Sequence, residues 1–213
     1  MNLEVLKNSA KAMVANGKGI LAADESTPTL KKRFDTISTQ STEESRRRYR
    51  EMLFTAKDAP KYIGGVILFD ETIRQLTSDG QPFPEYLNNL GMLAGIKVDT
   101  GAKALAGFEG ETVTEGLDGL RDRLADYSNL GAKFAKWRAV ININETIPSD
   151  FCIKANAHAL ARYAALCQEH NIVPIVEPEV LMDGSHSIGR CEEITNAALS
   201  AVFQELREHE VAL

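Results

Sequence analysis

The stretch "FAKWRAV" (134–140) has the apolar content of a core strand, yet it carries Lys136 and Arg138 on either side of Trp137, the chain's only tryptophan. Residues two apart on a strand share a face. The stretch therefore predicts a strand with two cations on one side and Trp137 on the other, packed between strand and helix. A core element accepts that arrangement only where the charged face meets counter-charges.

Four more apolar runs read as strands: "GILAAD" (19–24), "GGVILF" (64–69), "LAGIKV" (93–98) and "IVPIVEP" (172–178). Most are continuous rather than alternating, as parallel strands buried on both faces require. Helical patterns separate them. Leu3, Leu6, Ala10 and Met13 mark the first. "STEESRRRYREMLFTA" opens with Ser41 and Glu44 in capping-box spacing, and the charges of "ESRRRYRE" read as a solvated face. Leu117, Leu120 and Leu124 mark another helix, closed near Gly131. Ile153, Ala157, Leu160, Ala164 and Cys167 step by four and three, and a last helix runs from about Ile188 to Leu206. Alternating strands and helices predict a parallel α/β sheet. No linker divides the chain, so residues 1–213 read as a single domain.

The composition excludes several functions. A net charge of −6 gives no basis for binding nucleic acid or an anionic membrane surface. No apolar run approaches the length of a bilayer span, and the N-terminal segment lacks the apolar core of a signal peptide. Cys152, Cys167 and Cys191 are odd in number and show no metal-type spacing, which suits a reduced, cytoplasmic setting. His158, His170, His186 and His209 do not group into metal-ligand spacing either, so no zinc site is expected.

The strand ends separate two architectures. "GILAADES" finishes on Asp24, Glu25 and Ser26. "GIKVDTG" finishes on Lys97 and Asp99, and "IVEPEV" on Glu177 and Glu179. In a (β/α)₈ barrel, inward residues near the C-terminal strand ends form the active site. A doubly wound sheet would favour a Gly-rich turn after the first strand, whereas the glycines of "NGKGI" precede it. The barrel is the better reading. Its mouth would join cations that hold phosphate to carboxylates that move protons. A lysine beside other cations can lose its proton and attack a carbonyl. Sugar-phosphate chemistry through a Schiff base fits those charges.

"GKGILAADEST", "IGGVILFDET", "GIKVDTG", "GLDGL", "FAKWRAV", "ARYA" and "IVPIVEPEVLMDG" together resemble class I fructose-bisphosphate aldolase, in the family's order and over nearly the whole chain from Gly17. The resemblance implies a (β/α)₈ TIM barrel, here about its first five β/α units. It also implies cleavage of fructose 1,6-bisphosphate to dihydroxyacetone phosphate and glyceraldehyde 3-phosphate in glycolysis, with a lysine Schiff base and no metal or other cofactor. Asp24 would then move protons at the carbinolamine and at carbon–carbon cleavage. Glu177 would be the acid/base for dehydration, and Lys136 an ammonium beside the Schiff-base nitrogen. Glu179 would support the charge network. Ser26, Arg33, Lys97 and Arg138 would hold phosphate.

The resemblance places the Schiff-base lysine on a sixth strand, in a segment like "LEGTLLKP" that would begin at Leu213, so that lysine is not in this chain. The 213 residues alone are therefore expected to lack normal aldolase activity and to leave the first and fifth strands as sheet edges. A homotetramer is the assembly implied for the full-length family member. Two other readings stay open: another Schiff-base sugar-phosphate lyase of transaldolase type, and a non-catalytic binding or assembly piece.

Overall fold

The computed structural model describes residues 1–213. The five apolar runs form β1 (Gly19–Ala23), β2 (Ile63–Leu68), β3 (Leu93–Lys97), β6 (Phe134–Ile141) and β7 (Val173–Val180), and a short pair, β4 (Gly101–Ala104) and β5 (Thr112–Glu115), follows β3. The helices are α1 (Leu3–Met13), α2 (Thr27–Asp35), α3 (Glu43–Phe54), α4 (Ala59–Tyr62), α5 (Asp70–Ile73), α6 (Phe83–Asn89), α7 (Leu120–Asn129), α8 (Asp150–Glu169) and α9 (Ile188–Glu208). None is long and apolar enough to cross a membrane.

The sheet runs β1-β2-β3-β6-β7, and every pair in it is parallel. Each crossover returns through helix, as parallel neighbours require. The central strands are almost wholly buried. β7, at one edge, is half-buried along its whole length. Beside it an apolar groove runs between α1 and α9, lined by Leu3, Leu6, Val176, Leu199 and Phe203.

The sheet is curled rather than flat. Strands β1 and β6 are three positions apart, about 14 Å across a flat sheet. Yet Lys136 Nζ on β6 lies 3.2 Å from Asp24 Oδ2, just past the end of β1. Only a sheet bent about its inner face brings those side chains together. The molecule is thus a five-stranded half-barrel with helices outside.

Strand β6 shows how its sequence serves both faces. Ala135, Trp137, Ala139 and Ile141 are buried, whereas Lys136, Arg138 and Val140 are partly buried on the other side. Trp137 packs on Tyr163 of α8, with ring centroids 5.5 Å apart. At the N-terminal end Phe134 fills the interior, clustered with Met13 and Ile67. Room for its ring comes from two glycines. A Cβ on Gly95 would lie 2.3 Å from the Phe134 ring, and one on Gly65 would lie 2.9 Å from it. Gly95→Ala is therefore expected to destabilise the fold by about 1–3 kcal/mol through overpacking. Urea denaturation measures it, and an unchanged midpoint would show that the ring can move aside.

Two expectations are corrected by the structure. The cap of α3 is Thr42, not Ser41: its hydroxyl accepts from Ser45 N–H and the Ser45 hydroxyl accepts from Thr42 N–H. The arginines of α3 are not all solvated either. Arg46 and Arg50 share a buried face with Phe54. Arg46 forms a two-pronged pair with Glu71, at 2.9 and 2.5 Å. Arg50 donates to the carbonyls of Ala23 and Glu25. A buried guanidinium is tolerated when oxygens surround it; the remaining Arg50 nitrogen, Nη1, makes no hydrogen bond and faces the Glu71 carboxylate at 3.6 Å. The β4–β5 pair was also unforeseen, because "GAKA" and "TVTE" have neither the length nor the apolar content of the other strands.

Candidate active site

At the C-terminal ends of the strands the structure opens into a cleft of about 870 Å³, lined among others by Asp24, Ser26, Lys97, Lys136 and Arg138. Each residue arrives there for a local reason. Asp24 follows directly on β1, and Arg50 fixes the turn by bonding the carbonyls on both sides of it. Ser26 is the N-cap of α2, with its hydroxyl 3.0 Å from that of Thr29. Lys97 ends β3 and stands in register with Lys136 on β6.

Parallel register sets the pairing across β6 and β7. Lys136 lies opposite Ile175 and Arg138 opposite Glu177. Both cations reach one pleat further along β7. Lys136 Nζ lies 3.3 Å from Glu177, and Arg138 bonds Glu179. The i, i+2 cations of one strand thus meet the i, i+2 carboxylates of the next on a single inner face.

Lys136 sits between two acids, Asp24 at 3.2 Å and Glu177 at 3.3 Å. Burial disfavours its charge, but the two carboxylates outweigh burial and raise its pKa above the usual lysine range. It is held as an ammonium and is a poor nucleophile at neutral pH. Lys97 is tied to Asp99 at 2.6 Å. The same Asp99 carboxylate accepts from the backbone N–H groups of Gly101 and Arg138, which joins β3, the β4–β5 pair and β6. Thr112 and Thr114 of β5 strap that pair to β6 by donating to the carbonyls of Val140 and Arg138.

Of the residues expected from sequence, Arg33 stands apart. It is exposed on α2 and pairs with Glu25 rather than lining the cleft. Glu177 and Glu179 reach the cleft through the lysine and arginine they hold. The structure adds Arg74 and Arg123 to the lining. Arg74 pairs with Asp70 and Asp126, and Arg123 donates to the carbonyl of Val98 at 2.9 Å. Both come from helical segments with no strand-end signal, so only the fold could place them. Every cation of the mouth already has an oxygen partner.

The fold and the mouth together define a parallel β/α half-barrel whose strand ends bring cations and carboxylates together on one inner face. The comparisons with known proteins make this specific. The family model described as fructose-bisphosphate aldolase class-I matches residues 5–213. A protein of Xanthomonas campestris pv. campestris named "Probable fructose-bisphosphate aldolase class 1" is 61% identical over 213 residues, which is 100% of this chain and 64% of that protein. Fructose-bisphosphate aldolase C of Carassius auratus is 52% identical over 209 residues, 98% of this chain and 58% of its own. The solved aldolase of Plasmodium falciparum, in complex with TRAP and a small-molecule inhibitor, superposes with a TM-score of 0.95 at 48% identity, over 98% of this chain and 60% of that one. The chain belongs to the class I fructose-bisphosphate aldolase family, and it spans about two-thirds or less of the length of these relatives.

Proposed function

We propose that these residues form the acid/base and phosphate-binding part of an aldolase that cleaves fructose 1,6-bisphosphate into dihydroxyacetone phosphate and glyceraldehyde 3-phosphate, a step of glycolysis. The observation that carries this reading is the Asp24–Lys136–Glu177 cluster, set in a cleft that also holds Ser26, Lys97 and Arg138. In this reading Asp24 takes the proton of the hydroxyl whose carbon–carbon bond breaks, and Glu177 serves proton transfers at the carbonyl carbon. Lys136 stays an ammonium. It lowers the pKa of a neighbouring amine by like-charge repulsion, so that the amine can attack the ketone. Ser26, Lys97 and Arg138 hold the phosphate of the aldehyde half, with Glu179 keeping Arg138 in place. Arg33 reaches a phosphate only after leaving Glu25. A tetrameric assembly and a cytoplasmic setting belong to the same reading, supported by family membership alone.

The two lysines facing the cleft are assigned to binding and proton transfer, not to attack. Incubation of the 213-residue chain with dihydroxyacetone phosphate and borohydride is therefore expected to leave Lys97 and Lys136 unmodified, as read by peptide mass spectrometry. A trapped adduct on either would overturn that assignment. Joined to a segment that supplies the Schiff-base lysine, the chain should cleave fructose 1,6-bisphosphate. Asp24→Asn should then slow turnover by ~10²–10⁴-fold, the usual contribution of a positioned acid/base.

A further inference from the structure

Away from the cleft, on the outer helical layer, a second cluster of chemically capable side chains forms where α8 meets the end of α9. His158 of α8 places Nδ1 3.0 Å from the Glu205 carboxylate of α9. His209, the C-cap of α9, lies four residues after Glu205, on the same helical face. Its ring centroid is 5.0 Å from that of His158. One donor atom from each of the three residues lies within 4.8 Å of the others. We propose that His158, Glu205 and His209 form a divalent transition-metal site, suited to Zn²⁺, that clips α8 to α9.

Three features support a built site over a chance meeting of surface groups. The first is the donor set. Two imidazoles and a carboxylate suit borderline ions such as Zn²⁺, and the remaining coordination position is left to water. Ligands about 2.1 Å from such an ion stand about 3.4 Å apart in a tetrahedral arrangement. The 3.0 Å separation between His158 Nδ1 and Glu205 Oε2 lies close to that value.

The second is tautomer control. His209 Nδ1 lies 2.8 Å from the Glu205 backbone carbonyl. A carbonyl only accepts, so Nδ1 carries the proton and Nε2 carries the lone pair. Ligating histidines are commonly oriented by this kind of bond. On the His158 side, the ion takes the place of the hydrogen that bridges Nδ1 to Glu205, and the imidazole proton moves to Nε2.

The third is rigidity. The Glu205 side chain is only 11% exposed, whereas His158 is 51% exposed and free to turn onto the ion. Lys154 and Arg162 sit one turn either side of His158 on α8. Their charges oppose a dication and weaken its binding.

The test is titration of the reduced 213-residue chain with Zn²⁺ by isothermal calorimetry, with the melting temperature followed in parallel. One ion per chain and a rise in melting temperature are expected. His158→Gln and Glu205→Gln should each weaken binding at least tenfold, while melting without metal as the parent does or nearly so. Cys191→Ser removes the one partly exposed thiol and should bind as the parent does. Absence of saturable binding would overturn the proposal. So would binding that survives His158→Gln and is lost in Cys191→Ser, which would assign it to the thiol.

Discussion

Lys136→Met is expected to lower the unfolding free energy by about 3 kcal/mol at neutral pH. Removing one partner of a buried ion pair leaves the other charge uncompensated, at a cost of roughly 3–5 kcal/mol. The lower end applies here because Glu177 is partly solvated, while Asp24 is not. The pH dependence has a definite sign. The ammonium is favoured in the folded state, so its pKa there lies above the ordinary 10.5. Its stabilising contribution is complete below that value and is lost as pH rises through the higher folded value. The gap between parent and variant should therefore be constant from neutral pH to about pH 10 and should close above it. Urea unfolding at a series of pH values measures this. Adding Asp24→Asn to Lys136→Met should recover part of the loss, because the stranded charge is then gone. If the double variant were no more stable than Lys136→Met, the cost would come from packing and not from the cluster.

The next residue carries the other large effect, for a different reason. Trp137 is fully buried, packed against the tilted ring of Tyr163, and its Nε1 has no hydrogen-bond partner. Packing alone holds the ring, so Trp137→Ala should cost about 3–5 kcal/mol. Trp137→Phe keeps most of the volume and removes the unpartnered N–H, so its cost should stay under about 1.5 kcal/mol. Differential scanning calorimetry of both variants separates the cases. A large loss in Trp137→Phe would mean that the indole N–H has a partner in solution. Trp137 faces away from the cleft, so neither variant should carry the alkaline pH signature of Lys136→Met.

Much of this was legible because it is local. The five strands were readable as continuous apolar runs, since a parallel strand covered on both faces needs little else. Lys136 with Arg138, and Glu177 with Glu179, were readable as inward pairs because the pleat repeats every two residues. Other residues were not. Arg50 looks like any helix-surface arginine in "ESRRRYRE". It is buried because the carbonyls of Ala23 and Glu25, from an element 25 to 27 residues away, point at it. Arg74 and Arg123 join the mouth through chain turns that no periodicity records. Arg33 sits in a stretch that reads as part of the site, yet it turns to Glu25 instead.

The sequence alone settled the order of the elements, the face each strand gives to the interior, and a resemblance strong enough to name a family. Those follow from the two-residue pleat, from helical spacing and from long ordered blocks, all carried by neighbours along the chain. Tertiary structure alone decided which charges meet. Asp24 and Lys136 are 112 residues apart and touch because the sheet curls. The histidines show no metal spacing among themselves; His158 lies 47 residues before Glu205, and it joins Glu205 and His209 because α8 packs on α9. Curvature and helix packing are set by the summed burial of the whole core. They are not the property of any one segment, and the geometry of both sites depends on them.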